Sequence, residues 1–465
     1  MPDRTPEDHP TCGVNLPDST IRDIAALVSP DRTLERLRQL GRGESFNNRI
    51  YFLTFEGACD DTSVECLDDL STLDHVLKVS GRFWGIEKVQ NEVSCLLLLE
   101  KYCPNVPAPR VIAYTEQGDM IRLLSRSSGN GHPESIRDLV HPPLMESSTK
   151  RPWILMSRCR GTTLDLSQMQ GHEKHDTLQQ LARYMSQWRS CMPDVQHLGN
   201  LLLPDHQDLA PRAALKTFPD LPSPTVAGLL DCTLKPSATP STRLEYQMLR
   251  LENQLAQLEE YGTLAPSRAE LVPLVRRFIH DIVPRLRLFK LLPQTPRFTH
   301  NDFAPRNILI SRCGAGNAPV VTGIVDFEFA GFFPTEEEFT NLAQVETDWP
   351  VEAVEMLFRE LEDRGVATPL HGLDGDAWEE VQTLYLVTLN IAPWWLVQGE
   401  VAGEGLAQEL RAAAEKISTW AFRQAVVRYA EQSCSANRKP PSMRSLAPTE
   451  YQCGSITTRF LESDV

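Results

Sequence analysis

Two polar loops, each joined to a short apolar strand, place the strongest constraint on how this chain can fold. The first lies in residues 298–310, FTHNDFAPRNILI, and contains the pattern H-x-D-x-x-x-x-N starting at His300. The second lies in residues 323–328, GIVDFE, where Asp326 follows an apolar pair. Short apolar runs bounded by polar turn residues are typical of strands. The sequence therefore predicts two strands that carry His, Asp and Asn side chains at their ends.

These residue types match the needs of phosphoryl transfer. An enzyme of this kind holds magnesium on the nucleotide phosphates and orients a hydroxyl in line with the γ-phosphorus. Amide and carboxylate oxygens suit magnesium, and a carboxylate can accept the hydroxyl proton. The two loops supply such groups in the order that this chemistry requires.

The same loops resemble those of the aminoglycoside phosphotransferase and choline kinase group of small-molecule kinases. The first resembles the family's H-x-D-x-x-x-x-N loop, and the second resembles its metal segment I-D-[FW]-E. The chain departs from protein kinases, since Asn301 stands where arginine is typical and Asp326-Phe327-Glu328 lacks the glycine of D-F-G. The resemblance covers roughly residues 38–400 in the correct order. It implies an α+β, bilobal protein-kinase-like fold, with a small β-rich N-lobe and a larger, mainly helical C-lobe.

The resemblance implies a role for each polar residue of the two loops. Asp302 is the predicted catalytic residue, which accepts or orients the proton of the substrate hydroxyl. Asn307 and Asp326 are the predicted magnesium ligands, although each alone would be an ordinary turn residue. His300 is expected to support the loop by hydrogen bonding. Two roles stay open for Glu328, which either assists the metal shell or bonds a neighbouring loop.

The N-terminal half supplies predicted nucleotide contacts. Lys78 lies in a strand pattern where a kinase lysine contacts the phosphates, and Glu92 follows 14 residues later on a predicted helix. Glu92 could pair with Lys78 and fix its ammonium group; the alternative is a surface lysine and a solvated glutamate. Lys88 is a weaker candidate for pairing because it lies on the helix itself.

Two further segments are predicted to contact the nucleotide. The loop 41–48 carries two glycines, whose backbone amides can approach phosphates closely, so Ser45, Phe46 and Asn47 are candidate phosphate contacts. The same composition also fits an ordinary entry to a strand. Met156 and Arg158 lie in the expected connector between the lobes, where main-chain groups would meet adenine.

The hydrophobic pattern gives the order of elements. It predicts a helix over 19–40 divided by Pro30, strands at 50–55, 75–79, 110–114 and 153–156, and a helix with one buried face at 87–102. Longer helical patterns occur at 178–188, 246–261 and 269–289. We expect a loose tail at 1–20, an N-lobe at 21–158 with surface insertions at 56–74 and 125–150, a helical C-lobe at 159–430 with the catalytic and metal loops, and a tail at 431–465.

Charge and composition exclude several classes of protein. The 465 residues carry a net charge of −16, with 41% hydrophobic and 23% charged residues, as in ordinary soluble domains. The acidic balance disfavours a general binder of nucleic acid or anionic membranes, and no apolar run reaches the roughly 18 residues of a membrane span. Eleven cysteines without a C-x-x-C pair, and an N-terminus without a signal pattern, predict a cytoplasmic protein with reduced thiols.

The acidic run Glu336-Glu337-Glu338 admits two interpretations. It could attract a cationic substrate, but such a run is more often a solvated helix start, which we favour.

These observations together predict an ATP- and Mg²⁺-dependent phosphotransferase that acts on a hydroxyl of a small molecule. The net charge is compatible with a cationic or neutral acceptor. The alternatives are a nucleotide-binding regulatory module without activity, and a kinase-fold enzyme that transfers AMP or acts on protein. No nucleic-acid or membrane partner is expected.

Overall fold

The N-terminal part of the chain forms an antiparallel sheet. The computed structural model describes residues 10–41, 45, 47–57, 74–82, 85–118, 120–126, 133–140, 151–203, 224–226, 239–260, 268–313, 318–340, 342–343 and 348–392. Phe46, most of the predicted insertion 56–74 and the predicted tail 431–465 lie outside these residues. The described residues all belong to one compact unit, 1–417.

Seven strands of the described chain form the sheet, in the order β1-β2-β3-β7-β4-β5-β6. They are β1 (Leu34–Gln39), β2 (Asn48–Phe55), β3 (His75–Ser80), β4 (Val111–Thr115), β5 (Met120–Arg126), β6 (Pro133–Val140) and β7 (Trp153–Ser157). Helix α1 (Asp18–Val28) packs on this sheet, and α2 (Ile86–Tyr102) links β3 to β4. The central strands are apolar and buried, so they form the core of this lobe.

The predicted helix over 19–40 is wrong in its second half, which is strand β1. A bulge between Leu34 and Arg36 shifts the register of β1 against β2. Residues three apart normally lie on opposite faces of a strand, but an extra residue at a bulge reverses one of them. Leu34 and Leu37 therefore both pack against the core, and their spacing imitates a helix.

Two other predictions need correction. The insertion 125–150 was predicted as a surface loop, but residues 133–140 form β6, which pairs with β5 at the edge of the sheet. The sequence of β6 lacks a strand pattern because the side chains described in it, those of residues 135–139, are half-buried or exposed. Helix α2 was predicted to bury one face, whereas residues 88–100 are buried all round. Lys88 and Asn91 of that helix contact the second lobe, whereas Gln90, Glu92 and Glu100 bond partners in the first lobe.

The C-terminal part of the described chain is mainly helical. Its helices are α3 (Gly171–Cys191), α4 (Arg243–Glu260), α5 (Arg268–Arg277), α6 (Leu288–Leu291), α7 (Glu337–Thr340), α8 (Val351–Glu362) and α9 (Gly375–Ile391). The predicted helix 269–289 continues beyond α5 as π and 3₁₀ turns, of which the latter contains Pro284, and ends in the first residues of α6. None of the helices in the described ranges is both long and apolar enough to cross a bilayer. The α+β arrangement of two lobes is confirmed.

Short strands in the helical lobe position the polar loops. They are β8 (Thr162–Thr163), β9 (Leu201–Leu202), β10 (Thr225–Val226), β11 (Arg297–Thr299), β12 (Ile308–Cys313), β13 (Ala318–Ile324) and β14 (Gly331–Phe333). Strand β12 pairs antiparallel with both β13 and β8. Ile308 and Ile324 pair at the open end of the β12–β13 hairpin, where the first polar loop ends and the second begins.

Gly161 tests the packing that holds β12 in place. Its φ is +124°, and an added Cβ would overlap the carbonyl oxygen of Ile310. We expect Gly161→Ala to lower the free energy of unfolding by about 2–4 kcal/mol, because backbone strain and overlap add. Gly365→Ala is the matched control, since its φ is +78° but no atom lies within 4 Å of the added Cβ. That change should cost only about 1 kcal/mol. Equal losses of melting temperature in the two variants would contradict this account.

Candidate active site

The loop between β11 and β12 is held by hydrogen bonds of His300. The His300 backbone N–H donates to Glu338 Oε2 at 2.9 Å, and Nε2 lies 3.0 Å from the Val325 carbonyl oxygen. Nδ1 accepts from the backbone N–H of Asp302 at 3.3 Å. Burial lowers the pKa of His300, so these contacts fit a neutral ring that donates from Nε2. His300 therefore supports the loop, as expected from the sequence.

Two residues of the polar loops have left-handed backbone conformations. Asn301 has a φ of +63° and Asp326 a φ of +70°; they are the non-glycine residues with positive φ in the described chain. Such conformations cost about 1–3 kcal/mol each and concentrate at functional sites. Each loop thus turns sharply next to a predicted site residue.

Both carboxylate oxygens of Asp302 accept hydrogen bonds from its own loop. Arg306 Nη2 donates to Oδ1 at 2.5 Å, and Asn307 Nδ2 donates to Oδ2 at 2.9 Å. Arg306 also contacts Asp348 Oδ2 at 3.0 Å. Burial raises the pKa of Asp302 to about 6, while the charge of Arg306 opposes that rise. The side chain remains 26% exposed, so it is accessible to a substrate.

The hairpin β12–β13 brings the predicted metal ligands together. Asn307 directly precedes β12, and Asp326 follows β13 by two residues, so strand pairing places the two ends side by side. The Val325 backbone N–H donates to the Asn307 carbonyl oxygen at 2.9 Å, which joins the two loops directly. Since the amide nitrogen of Asn307 contacts Asp302, its amide oxygen is the atom that can ligate a metal.

The Lys78 ammonium group lies at the centre of a carboxylate cluster between the lobes. Lys78 Nζ is 2.7 Å from Glu92 Oε2, 2.5 Å from Asp326 Oδ1 and 2.9 Å from Glu328 Oε2. The expected pair of Lys78 and Glu92 is present and buried, which excludes the surface alternative. Although burial alone would lower the pKa of Lys78, the three carboxylates raise it well above its ordinary value. Lys78 is therefore charged at neutral pH.

Glu328 bonds the neighbouring loop, which was one of its two expected roles. Its carboxylate is fully buried and accepts from Asn47 Nδ2 at 3.0 Å and from Asn48 Nδ2 at 2.8 Å. Lys88 Nζ also contacts it, at 3.1 Å from Oε2. Although burial alone would raise the pKa of Glu328, the Lys78 and Lys88 ammonium groups hold it well below its usual range. Glu328 thus joins the loop before β2 to the segment after β13.

The donor set fits a hard divalent cation at Asp326 and Asn307. Oxygens of Glu92, Asp326 and Glu328 lie within 4.8 Å of one another. Lys78 already contacts all three, and the side chains of Glu92 and Glu328 are only 3% and 0% exposed. Asp326 is 30% exposed, so within this group it is the carboxylate that can meet a magnesium ion from solvent.

The acidic run after β14 is buried, which contradicts the predicted solvated helix start. Glu336 pairs with Arg243 at 2.6 Å, and Glu337 pairs with Arg250 at 2.6 Å. Glu338 is 1% exposed and accepts from the His300 backbone N–H. The three glutamates bind α4 and the loop that begins at His300, so their buried carboxylates offer no surface to a cationic substrate.

The remaining predicted residues lie along the sheet. Ser45 and Asn47 are half-buried in the loop before β2. Met156 is buried at the end of β7, where it pairs with Val76. Arg158 follows it; its guanidinium lies 3.4 Å from Asp74 and 4.9 Å from the centroid of the Phe52 ring. Asn47 thus joins the Lys78 cluster through Glu328, whereas these contacts of Arg158 lie at the other end of β3.

A cavity of about 300 Å³ opens beside Arg306. Its walls mix apolar and charged side chains, including Leu164, Asp165, Pro305, Arg306 and Asp348. This volume is at the lower end of the range for small-molecule sites, about 300–1,000 Å³. The ion pair of Arg306 and Asp302 connects the cavity to the polar loops.

Several residues of this site were missed or set aside in the sequence. Lys88 was set aside because it lies on a helix, yet its four-residue spacing from Glu92 puts both on one face. Asn48 gave no signal of its own and Glu338 was interpreted as solvated, because their contacts are distant in sequence. Arg306 contacts Asp302 four residues away, but it lies at an x position of the pattern H-x-D-x-x-x-x-N.

Comparison with known proteins gives one sequence match and several related folds. The sequence model of the phosphotransferase enzyme family matches residues 55–373. No protein with a curated description matches the sequence. The GDP and kanamycin complex of APH(2")-IIia is 16% identical, with a TM-score of 0.44, over 86% of this chain and 99% of that one. The streptomycin–ATP–APH(2")-IIa ternary complex is 14% identical, with a TM-score of 0.48, over 87% of this chain and 99% of that one. Macrolide 2'-phosphotransferase MphH from Brachybacterium faecium is 13% identical, with a TM-score of 0.41, over 86% of this chain and 98% of that one.

Glu338 allows a test of the loop geometry. Glu338→Ala leaves the buried His300 N–H without its acceptor, so we expect a loss of about 1–3 kcal/mol in stability. Amide hydrogen exchange at His300 should accelerate in the same variant, as measured by mass spectrometry of peptides that span the loop. The control is Glu352→Ala, an exposed glutamate in the first turn of α8. Unchanged exchange at His300 would show that Glu338 does not hold the loop.

Proposed function

The chain belongs to the phosphotransferase enzyme family, and we propose that it transfers the γ-phosphoryl group of ATP to a hydroxyl group of a small molecule with the help of Mg²⁺. One observation carries the proposal. Asp302 and Asn307 meet Asp326 at the end of one hairpin, and Asp326 contacts Lys78 from the opposite lobe. The residues proposed as proton acceptor, metal ligands and phosphate-binding cation thus lie close together, which supports the proposal.

In this proposal Asp302 acts on the acceptor hydroxyl. Arg306 and Asn307 fix its two oxygens, so the carboxylate is oriented before a substrate arrives. The raised pKa of the Asp302 carboxyl lies nearer to neutral pH, which makes the carboxylate a better acceptor for the hydroxyl proton. The acceptor hydroxyl would replace Arg306 as the partner of Asp302 Oδ1, since Oδ2 accepts a hydrogen bond from the amide group of Asn307.

Lys78 is proposed to bind the nucleotide phosphates, and Glu92 to hold Lys78 in place. Glu92 contacts the ammonium group with both oxygens, at 2.9 and 2.7 Å, so one side of Lys78 stays fixed when the other turns to a phosphate. Bound Mg²⁺ would supply positive charge on the phosphate oxygens. Asn307 and Asp326 would hold it, because they offer an amide oxygen and the accessible carboxylate.

The cavity beside Arg306 is the proposed acceptor site. It adjoins Asp302 through Arg306, and its size suits a compact molecule. Apolar walls and the charged groups of Asp165, Arg306 and Asp348 would recognise a molecule with both kinds of surface. A screen of sugars, amino alcohols, amines and aminoglycosides would identify the acceptor. Nucleotide binding without turnover across this screen favours a regulatory module, and an adenylylated product or a phosphorylated protein would contradict the proposed reaction.

Asp302→Asn tests the proton acceptor. Removal of a general base typically costs about 10²–10⁴-fold, so we expect kcat to fall by about 10³-fold. The dissociation constant of ATP should change by less than about 3-fold, since Asp302 is assigned to the acceptor. Steady-state kinetics and calorimetry give the two quantities. Asp281→Asn, at an exposed carboxylate with a weak surface pair, serves as the control and should leave both unchanged. Retained turnover in Asp302→Asn would contradict the assignment.

Asp326→Asn tests the metal site. Loss of the accessible carboxylate should reduce the rate by about 10²–10⁴-fold, because metal stabilisation of phosphoryl transfer contributes several kcal/mol. The Mg²⁺ concentration for half-maximal rate should rise at the same time. If the variant keeps the Mg²⁺ dependence of the parent, Asp326 is not a ligand.

A further inference from the structure

Lys88 is a second buried lysine in the site. Its side chain is 2% exposed, and Nζ lies 3.1 Å from Glu328 Oε2, 2.8 Å from Asn48 Oδ1 and 3.5 Å from the Asn47 carbonyl oxygen. The same Glu328 oxygen lies 2.9 Å from Lys78 Nζ. One carboxylate oxygen is thus shared by two ammonium groups, of which Lys88 faces the loop before β2 and Lys78 faces Asp326.

One face of α2 contacts the segment after β13 at three positions. Lys88, Asn91 and Glu92 are three and four residues apart, so they lie on the same side of the helix. Asn91 Nδ2 donates to the carbonyl oxygens of Glu328, at 2.8 Å, and Ala330, at 3.0 Å. Glu92 reaches the segment through Lys78. Lys88 differs from the other two because it also contacts the loop that carries Asn47 and Asn48.

The position of the Lys88 ammonium group is energetically unfavourable. It lies in the first turn of α2, where the helix dipole disfavours a cation, and a buried ammonium group loses its hydration. Burial lowers the pKa of Lys88 and the charge of Lys78 adds to this effect, while Glu328 opposes it. Apolar groups of similar volume often replace buried ion pairs at no loss of stability. Fold stability alone therefore does not account for a lysine at this position.

We propose that Lys88 is a positioning residue that sets the affinity for the nucleoside triphosphate by fixing Asn47 and Asn48, where the loop enters β2, against Glu328. The inference rests on the proposed function. When Lys78 turns to the nucleotide phosphates, its contacts with Glu328 and Asp326 are the ones that it can release, since Glu92 retains it. Lys88 then keeps the Glu328 carboxylate neutralised and holds it toward Asn47 and Asn48. The loop thereby stays in place for the phosphates.

The test compares Lys88→Met with the loss of another ion pair to the same helix, made by a residue of β5. Met keeps the length of the side chain and removes its charge. We expect the dissociation constant and KM of ATP to rise about 10-fold or more, with kcat changed by less than about 3-fold and the acceptor KM unchanged. Arg126→Met is the control, because Arg126 forms an ion pair with Glu100 of α2 at 2.8 Å, away from the site. It should lower the melting temperature without a change in ATP binding.

Two further variants keep the inference falsifiable. Asn48→Ala retains the Lys88–Glu328 ion pair but removes the side-chain contacts of Asn48 with both, so it should also weaken ATP binding. If Lys88→Met does not fold, parent-like ATP affinity in Asn48→Ala overturns the inference. Lys88→Met and Glu328→Gln should be non-additive in a double-mutant cycle on ATP affinity, and additive losses would show that they act independently.

Failure of this inference is distinguishable from failure of the proposed function. If the unmodified protein binds and hydrolyses or transfers from ATP while Lys88→Met keeps the ATP affinity of the parent, only the role of Lys88 is wrong. If the unmodified protein does not bind ATP, the proposed function itself fails.

Discussion

The buried ammonium group of Lys78 is the interaction on which the arrangement of the site depends. It contacts carboxylates from α2 and from the segment after β13, so it joins elements of both lobes within 3 Å. Unpaired, each of these buried charges would cost several kcal/mol. Together they satisfy one another, and the cluster is stable only if the sheet, α2 and the β12–β13 hairpin keep their relative positions. The relative position of the lobes and the charge balance of the site therefore depend on each other.

The polar residues of the proposed site could be predicted because they stand at fixed spacing within short segments. Asp302 and Asn307 share one loop, and Asp326 follows the next strand, so local sequence contains most of their relation. Lys78 and Glu92 were found from a strand and a helix of ordinary pattern. Lys88 was set aside because it lies on the helix itself, and only the folded chain shows that it meets Asn48 and Glu328, which are 40 and 240 residues away.

The errors have a common physical cause, which is that burial of charge is invisible in a hydrophobic pattern. The run Glu336-Glu337-Glu338 looks like a solvated surface, yet it is buried because Arg243 and Arg250 of α4 neutralise it. Helix α2 looks amphipathic, but its charged residues are buried because Lys88 pairs with Glu328 of the second lobe, and Glu92 and Glu100 pair with Lys78 and Arg126 of the sheet. Strand β1 failed for a geometric reason instead, because a bulge placed Leu34 and Leu37 on one face. Patterns of apolar residues predict cores well and interfaces between lobes poorly.

Asn91 attaches helix α2 to the helical lobe. Its amide nitrogen bonds two carbonyls of the segment after β13, and its amide oxygen accepts from the Leu201 backbone N–H at 2.7 Å. Helix α2 lies in sequence between strands of the sheet, and the ion pairs of Glu92 with Lys78 and of Glu100 with Arg126 attach it to that sheet as well. Any movement of one lobe against the other would therefore have to break buried polar contacts on one side of this helix.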